Sequence, residues 1–432
     1  GIGSSAGAAI TTGTRNIAIG ANAYDASDTE NDNVAIGYQA MTTNTAGGQY
    51  NVAVGNYAMD ALTSGDNSTA VGYEALTAVT TGISNTAFGH TALASTQSGG
   101  YNTAVGYEAL NQNLAANNTA VGTYALKDNT TGTNNTGLGF QAMHNITDGG
   151  NNVAVGHNSL STISTHSYCT AVGVAALESN AAAHANTAVG YKALLSNTVG
   201  DSNVGIGVEA LRDHTEASQS TAIGYYAGRN ATTGNNNVFV GFQSGVSTTA
   251  TTTGTRNILV GNYTHAGAAD EDDAHGFGYN LNCAGGYTTI GNAGSDTRAA
   301  HGNATWATVS DERYKKDIVD STAGLGFINA LKPRTFKYKN LGELPNTFNA
   351  YIADSTDVFK NSNTNHGFIA QEVKAAIDAD SSIKNGFRLW DDRPDGSQEV
   401  AEAALIPVLV KAIQELSAKN DALLARIETL EG

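Results

Sequence analysis

A five-residue phrase that returns about every 17 residues constrains this chain more than any other feature. It reads N-I-A-I-G at Asn16, N-V-A-I-G at Asn33, N-V-A-V-G at Asn51 and N-T-A-F-G at Asn85. Its closing glycines run from Gly20 through Gly72, Gly139 and Gly207 to Gly261, fifteen in all, and eleven of the fourteen intervals between them are 17 residues. After the glycine comes Y-x-A-L or a close variant, as at Tyr73, Ala75 and Leu76, and the rest of each unit is Asn, Thr, Ser and Gly. A 17-residue unit buries too little to stand alone, so its copies must stack on one another.

Within the phrase, apolar and small or polar residues alternate with a period near two, and turn formers flank it. Each phrase therefore reads as one rung of a β-solenoid. On this reading Val54, Val71, Val105 and Val155 pile up inside, the glycine makes a corner that a Cβ would obstruct, and asparagine side chains bond in a ladder between rungs. Y-E-A-L closes the rung with one helical turn. Residues 1–307 contain no proline, as expected if every rung donates its N–H groups to a neighbour. An all-helical solenoid is disfavoured by so much Gly, Asn and Thr. Fifteen rungs at roughly 4.8 Å make a rod on the order of 70 Å long.

Composition narrows the functions available. The chain has 432 residues, 41% hydrophobic and 14% charged, so it folds rather than staying disordered. A net charge of -17 argues against nucleic acid and anionic membranes as partners, because both require clustered Lys and Arg. Cys169 and Cys283 are too few and too far apart for a disulfide framework or a zinc site, and read as free thiols made in a reducing compartment. No run of residues has the length and apolarity of a membrane span. No cofactor motif is present. The chain opens at Gly1 inside the repeat, without an initiator methionine, and so reads as a fragment whose N-terminal part attaches elsewhere.

The period fails after Asn262. Residues 263–307 are glycine-rich, with an acidic run from Asp270 to Asp273, and read as a connector after a shaft over 1–262. His265 and His275 flank that run, but their spacing matches no metal motif, and they are assigned to a solvated loop with no metal. A separate domain follows over 308–432, since fifteen of the 22 Lys and Arg and all four prolines lie in the last 132 residues. At its start, Thr308 to Ile318 reads T-V-S-D-E-R-Y-K-K-D-I. Ser310 and Lys315 are the minimum equipment for a serine nucleophile with a lysine base. Ser310 before Asp311 and Glu312 also reads as a helix N-cap, which spacing alone favours over the catalytic pair. On a continuous helix, positions five apart point away from each other, so a direct pair needs a bend or a partner subunit. The last segment, about 403–431, places Ile406, Ile413, Asn420 and Ile427 at one heptad position and Leu409, Leu416, Leu423 and Leu430 at the next, a coiled coil. Its Ile and Leu pattern with a lone Asn favours two strands by packing alone.

Two resemblances add to this reading. Over residues 14–261 the repeat resembles those of trimeric adhesin heads and phage fibre shafts, which implies a left-handed trimeric β-roll. Over residues 306–432 the chain resembles the C-terminal intramolecular-chaperone, self-cleaving domain of phage tailspikes and tail fibres. That resemblance rests on S-D-E-R-Y-K-K-D-I from Ser310, G-F-I-A-Q-E-V from Gly367 to Val373, and L-I-P-V-L-V-K-A-I-Q-E-L from Leu405 to Leu416.

The fold expected is mainly β, a trimeric β-solenoid of 17-residue rungs followed by a small α+β chaperone domain with a coiled-coil helix. The resemblance implies Ser310 as nucleophile, Lys315 as base and cleavage between Val309 and Ser310. A base lysine must be buried or lie near other cations, and Arg313 and Lys316 are candidate neighbours. Asp311, Arg313, Gln371 and Glu372 are possible supports, although Phe368, Ile369 and Val373 around the last two read as core. The resemblance also implies three strands in the coil, a homotrimer, placement in a virion after assembly in the host cytoplasm, and tail-protein partners bound through the N-terminal part. It further implies attachment to a host receptor, a glycan or an outer-surface protein. The alternative is a bacterial trimeric surface adhesin, which should end in membrane-spanning strands rather than a coiled coil. An enzyme acting on polysaccharide would need paired carboxylates in a cleft, and the repeat shows no such pair.

Overall fold

Every phrase becomes a three-residue strand, from Ile17–Ile19 to Ile258–Val260. Successive strands pair in parallel, one rung to the next, so that Thr69, Ala70 and Val71 lie opposite Thr86, Ala87 and Phe88. The result is a mainly β computed structural model built on a solenoid of about sixteen turns. It describes residues 1–432 apart from 45–46, 247–251, 294, 303–306, 309–311, 313–314, 381–382, 384–388, 393–395 and 432. The chain divides into two units, Gly1–Ser310 and Asp311–Gly432.

The phase of the strand differs from the sequence expectation. The central alanine points inward, as Ala53, Ala70, Ala104 and Ala154 are fully buried. Val54, Val71, Val105 and Val155 lie on the outer face, only partly covered or exposed. The interior is narrow, and the alanine column is met from the opposite wall by buried pairs such as Ala75–Leu76 and Ala109–Leu110. A larger strand residue fits inside only if the far wall shrinks. Phe239 replaces the alanine in one strand, where glycines stand at 228 and 245 and a Cβ would overlap its ring, and Leu259 replaces it in the next.

The corner glycine and the asparagine ladder both form as expected. Gly72 has φ of 141° and lies against the Gly89 carbonyl, where a Cβ could not fit. Asn33 Oδ1 accepts from the Asn51 amide at 2.9 Å, and Asn51 Oδ1 from the Ser68 amide at 2.9 Å. The same bond links Asn118 to Asn135 and Asn237 to Asn257, both at 2.9 Å. The Asn135 amide group also donates to the Gly149 carbonyl at 2.7 Å, so both ends of this buried side chain are satisfied. Cys169 stands in the same row, with its thiol directed at the Ala183 carbonyl at 3.5 Å, and burial raises its pKa.

The Y-x-A-L stretch is not a helical turn. Glu74 and Leu76 take left-handed φ of 53° and 51°, which breaks any helical run. The amides are thereby turned alternately to the two neighbouring rungs, Glu74 to the Asn56 carbonyl and Leu76 to the Ala92 carbonyl, both at 3.0 Å. Backbone strain is thus exchanged for complete pairing along the stack.

The segment read as a connector carries the stack onward. Ile258–Val260 pairs in parallel with His275–Phe277, which pairs in parallel with Thr288–Ile290. Tyr287–Asn292 then meets Ser295–Ala300 antiparallel, and Thr297–Arg298 meets Ala307–Thr308 antiparallel. The change of direction closes the open strand edge.

In the second unit, α1 (Leu325–Ala330), α2 (Ala370–Ala379) and α3 (Ile406–Glu431) accompany two small antiparallel pairings, Arg334–Phe336 with Asn365–Gly367 and Trp390–Asp392 with Gln398–Val400. Their core gathers Ala323, Phe327, Val373, Ile377, Leu389, Leu405 and Val408. Along its whole length α3 leaves a row of apolar residues exposed, among them Ile413, Leu416, Leu423, Ile427 and Leu430.

One buried group makes the shaft acid-sensitive. His214 continues a fully buried inner row after Asn180 and Asn197, and burial lowers its pKa to about 4. The neutral imidazole is the form the fold holds, so nothing is lost above pH 6.5. As pH falls from 6.5 to about 4 the unfolded chain takes up the proton first, and stability declines by on the order of 3 kcal/mol in total. His214→Asn, which restores the residue of the rung before, is expected to flatten thermal unfolding midpoints across that window when followed by circular dichroism.

Candidate functional site

The proposed nucleophile lies outside the described residues, as do Val309, Asp311 and Arg313. Lys315 is described and exposed, with its amide donating to the Glu312 carbonyl at 2.9 Å. From Lys315 to Thr322 the chain is exposed and neither helix nor strand. Lys315 itself lies in neither helix nor strand, and the helix that Ser310 would cap falls on residues outside those described. Asp317, with φ of 56°, adds a further bend. The first fixed residues after this segment are Ala323 and Gly324, which are buried.

Gln371 and Glu372 occupy the first turn of α2. Arg334 reaches across from its strand and grips the Glu372 carboxylate through two nitrogens, with Nε at 2.9 Å. That bond holds the Glu372 pKa below the usual carboxylate range. Both residues line a shallow depression with Lys332 and Ala376, and Arg334 lines a second with His366, Phe368 and Glu402. Val373 is buried and Phe368 packs against the core, whereas Ile369, expected there too, is 36% exposed where it precedes the helix. Gln371 and Glu372 thus face outward, and the arginine that pairs with Glu372 lies 38 residues away in sequence, with no local pattern to reveal it.

His265 and His275, read as loop residues, lie in short strands. His275 stands 4.5 Å from His301, ring to ring, and burial followed by that neighbour lowers its pKa. Among the described residues no group of three or more His, Cys, Asp or Glu is placed to hold a metal ion. No helix among them is long and apolar enough to cross a membrane.

Residues 310–380 match the family model described as chaperone of endosialidase, and the match begins at Ser310. That family is the self-cleaving intramolecular chaperone domain, a role consistent with self-cleavage of this chain. With the stacked shaft before it, the domain fits a tail fibre or tailspike carrying a C-terminal chaperone. No curated protein and no solved structure matches the chain.

Proposed function

We propose that this chain is the subunit of a homotrimeric phage tail fibre or spike. Its C-terminal domain aligns three chains and is then cut away between Val309 and Ser310. The observation that carries the trimer is the outer face of the strands. The last strand residue is apolar in every strand from Ile17–Ile19 to Ile258–Val260 and points outward. Phe88 is 55% exposed and Leu138 44% in the single chain. The first strand residue is Thr, Val or Ile throughout. Charged groups such as Glu108, Lys127, Glu209, Arg212 and Arg229 fall elsewhere on the rung, in ion pairs with one another. An unbroken apolar stripe along a rod whose charges lie elsewhere calls for a cover. Two further copies of the same stripe supply it at matching height, and the exposed seam of α3 does so at the other end of the chain.

The cleavage chemistry follows from the residue types. Ser310 Oγ attacks the Val309 carbonyl, the bond to the Ser310 nitrogen breaks, and an ester between Val309 and Ser310 forms. Water then hydrolyses the ester, leaving a carboxylate on Val309 and a free amine and hydroxyl on Ser310. A lysine takes the hydroxyl proton only where it is withdrawn from water. Lys315 is exposed in the single chain, so assembly has to supply the cover, and cutting then reports that three chains have met. In this role the shaft is a host-attachment structure on the virion, facing a glycan or an outer-surface protein, joined to other tail proteins through an N-terminal part.

Two experiments test these claims. Ser310→Ala and Lys315→Ala each leave a full-length trimer uncut by intact-mass analysis, and a fragment beginning at residue 310 from either variant removes the dyad. Val155→Asp with Val172→Asp places charge on the outer face and is expected to take the shaft from three chains to one by light scattering while its β spectrum persists. Ala154→Asp, directed into the fully buried column, is expected to abolish the β spectrum instead.

A further inference from the structure

Two pairs of histidine rings on the first unit stand with centroids 4.5 Å apart, and they differ in how their nitrogens are engaged. In the pair His166 and His184, the Ser167 amide donates to His184 Nδ1 at 3.2 Å. That acceptor role puts the His184 proton on Nε2, so neither nitrogen of the ring keeps a free lone pair. His275 and His301 are placed otherwise. His275 opens the strand His275–Tyr279, which pairs in parallel with Tyr287–Asn292 and sets His275 beside Thr288. The antiparallel strand Ser295–Ala300 lies on the other side of Thr288, and His301 follows it directly. The two rings, tilted by 41°, therefore come from either side of the strand that carries Thr288.

Each of these rings has a neighbour that can hold its proton on one nitrogen. The His301 amide is fixed to the Gly286 carbonyl at 2.8 Å, and His301 Nε2 lies 3.3 Å from Thr288 Oγ1. The His275 ring is hydrogen-bonded to the Arg256 backbone. A hydroxyl or carbonyl that accepts from one ring nitrogen fixes the proton there and leaves the other nitrogen with a lone pair, as in histidines that hold metals. Burial and the neighbouring ring keep the His275 pKa below the ordinary imidazole value, so the ring is neutral at neutral pH. Asp273 lies near enough to act on both rings as a negative charge, while Arg256 holds its two oxygens at 2.7 and 2.8 Å and keeps it from serving as a ligand. Two ring nitrogens on one zinc ion, each at about 2.0–2.1 Å, lie roughly 3.4 Å apart. Rings with centroids 4.5 Å apart reach that separation by small rotations.

We propose that His275 and His301 together chelate one divalent transition-metal ion of the zinc and copper class, with water in its remaining positions. The ion ties the closing antiparallel strand to the parallel stack and so acts as a staple at the end of the solenoid. Magnesium and calcium are not taken, because they require oxygen donors. The site lies within one chain and depends on neither the trimer nor the cleavage reading.

The test uses the full chain, stripped with a chelator and dialysed against zinc chloride near neutral pH, with bound zinc read by elemental analysis and thermal unfolding followed by circular dichroism. The unaltered chain is expected to bind one zinc ion per chain and to unfold at a higher temperature when zinc is present. His275→Ala and His301→Ala are each expected to keep the β spectrum, to weaken zinc binding roughly tenfold or more because one arm of the chelate is gone, and to lose the rise in unfolding temperature. His184→Ala is expected to bind zinc like the unaltered chain, and excess magnesium is expected not to compete. An unaltered chain that binds no zinc overturns the proposal, as does a loss of binding in only one of His275→Ala and His301→Ala. Loss of the zinc in His184→Ala would place the metal at the other pair, and one zinc ion per three chains would place it between copies; either result also overturns it.

Discussion

The structure depends on each rung accepting its hydrogen bonds from a near-copy of itself. Strand amides, the left-handed amides of the Y-x-A-L turn and the buried asparagine carboxamides all find partners one rung away. A change of rung length must be absorbed where it does not disturb these rows. The interval of 20 residues between Gly241 and Gly261 shows this, since Asn237 still meets Asn257 at 2.9 Å. Close backbone approach at the glycine corner follows from the same demand, and so does the lack of proline. At the C-terminal end of the stack the antiparallel strand Ser295–Ala300 takes the place of another rung, so the edge does not offer itself to a further parallel strand.

A stack of near-copies has a weakness that its own sequence cannot repair. Sliding one chain past another by one rung puts valine against valine and glycine against glycine again, so register between chains is weakly specified by the repeat. Pairings between chains also form slowly compared with local contacts. A helical clamp whose seam contains a lone Asn among Ile and Leu defines one alignment. Under the proposed function, removing the clamp after alignment would leave a rod that cannot easily unmake itself, a kinetic rather than an equilibrium stability.

Much of this was legible in the sequence, and the failures have physical causes. The period, the strands, the glycine corner and the asparagine ladder were visible because each is a demand made at every rung. The phase of the strand was not: a period of two marks alternation but not which set faces inward. Valine is the more apolar residue, so hydrophobicity alone placed Val54 and Val155 in the core. The narrow interior admits alanine there, and the valines face outward. The helical turn assigned to Y-E-A-L ignored the need of the turn's amides to point to both neighbours. The strands in 263–307 were hidden because the phrase had decayed while the stacking surface persisted. In the second unit the Ser-Lys spacing was conspicuous, whereas the bond from Glu415 to Leu325 spans 90 residues and has no signature in either segment.

The central claim is that three shafts, once aligned by the tail, hold together without it through the apolar outer faces of their strands. The most direct measurement is the native mass of the shaft after residues 310–432 have been separated from it. The account predicts a particle of three shaft chains that survives dilution, and a shaft that falls to single chains when the tail is gone would contradict it.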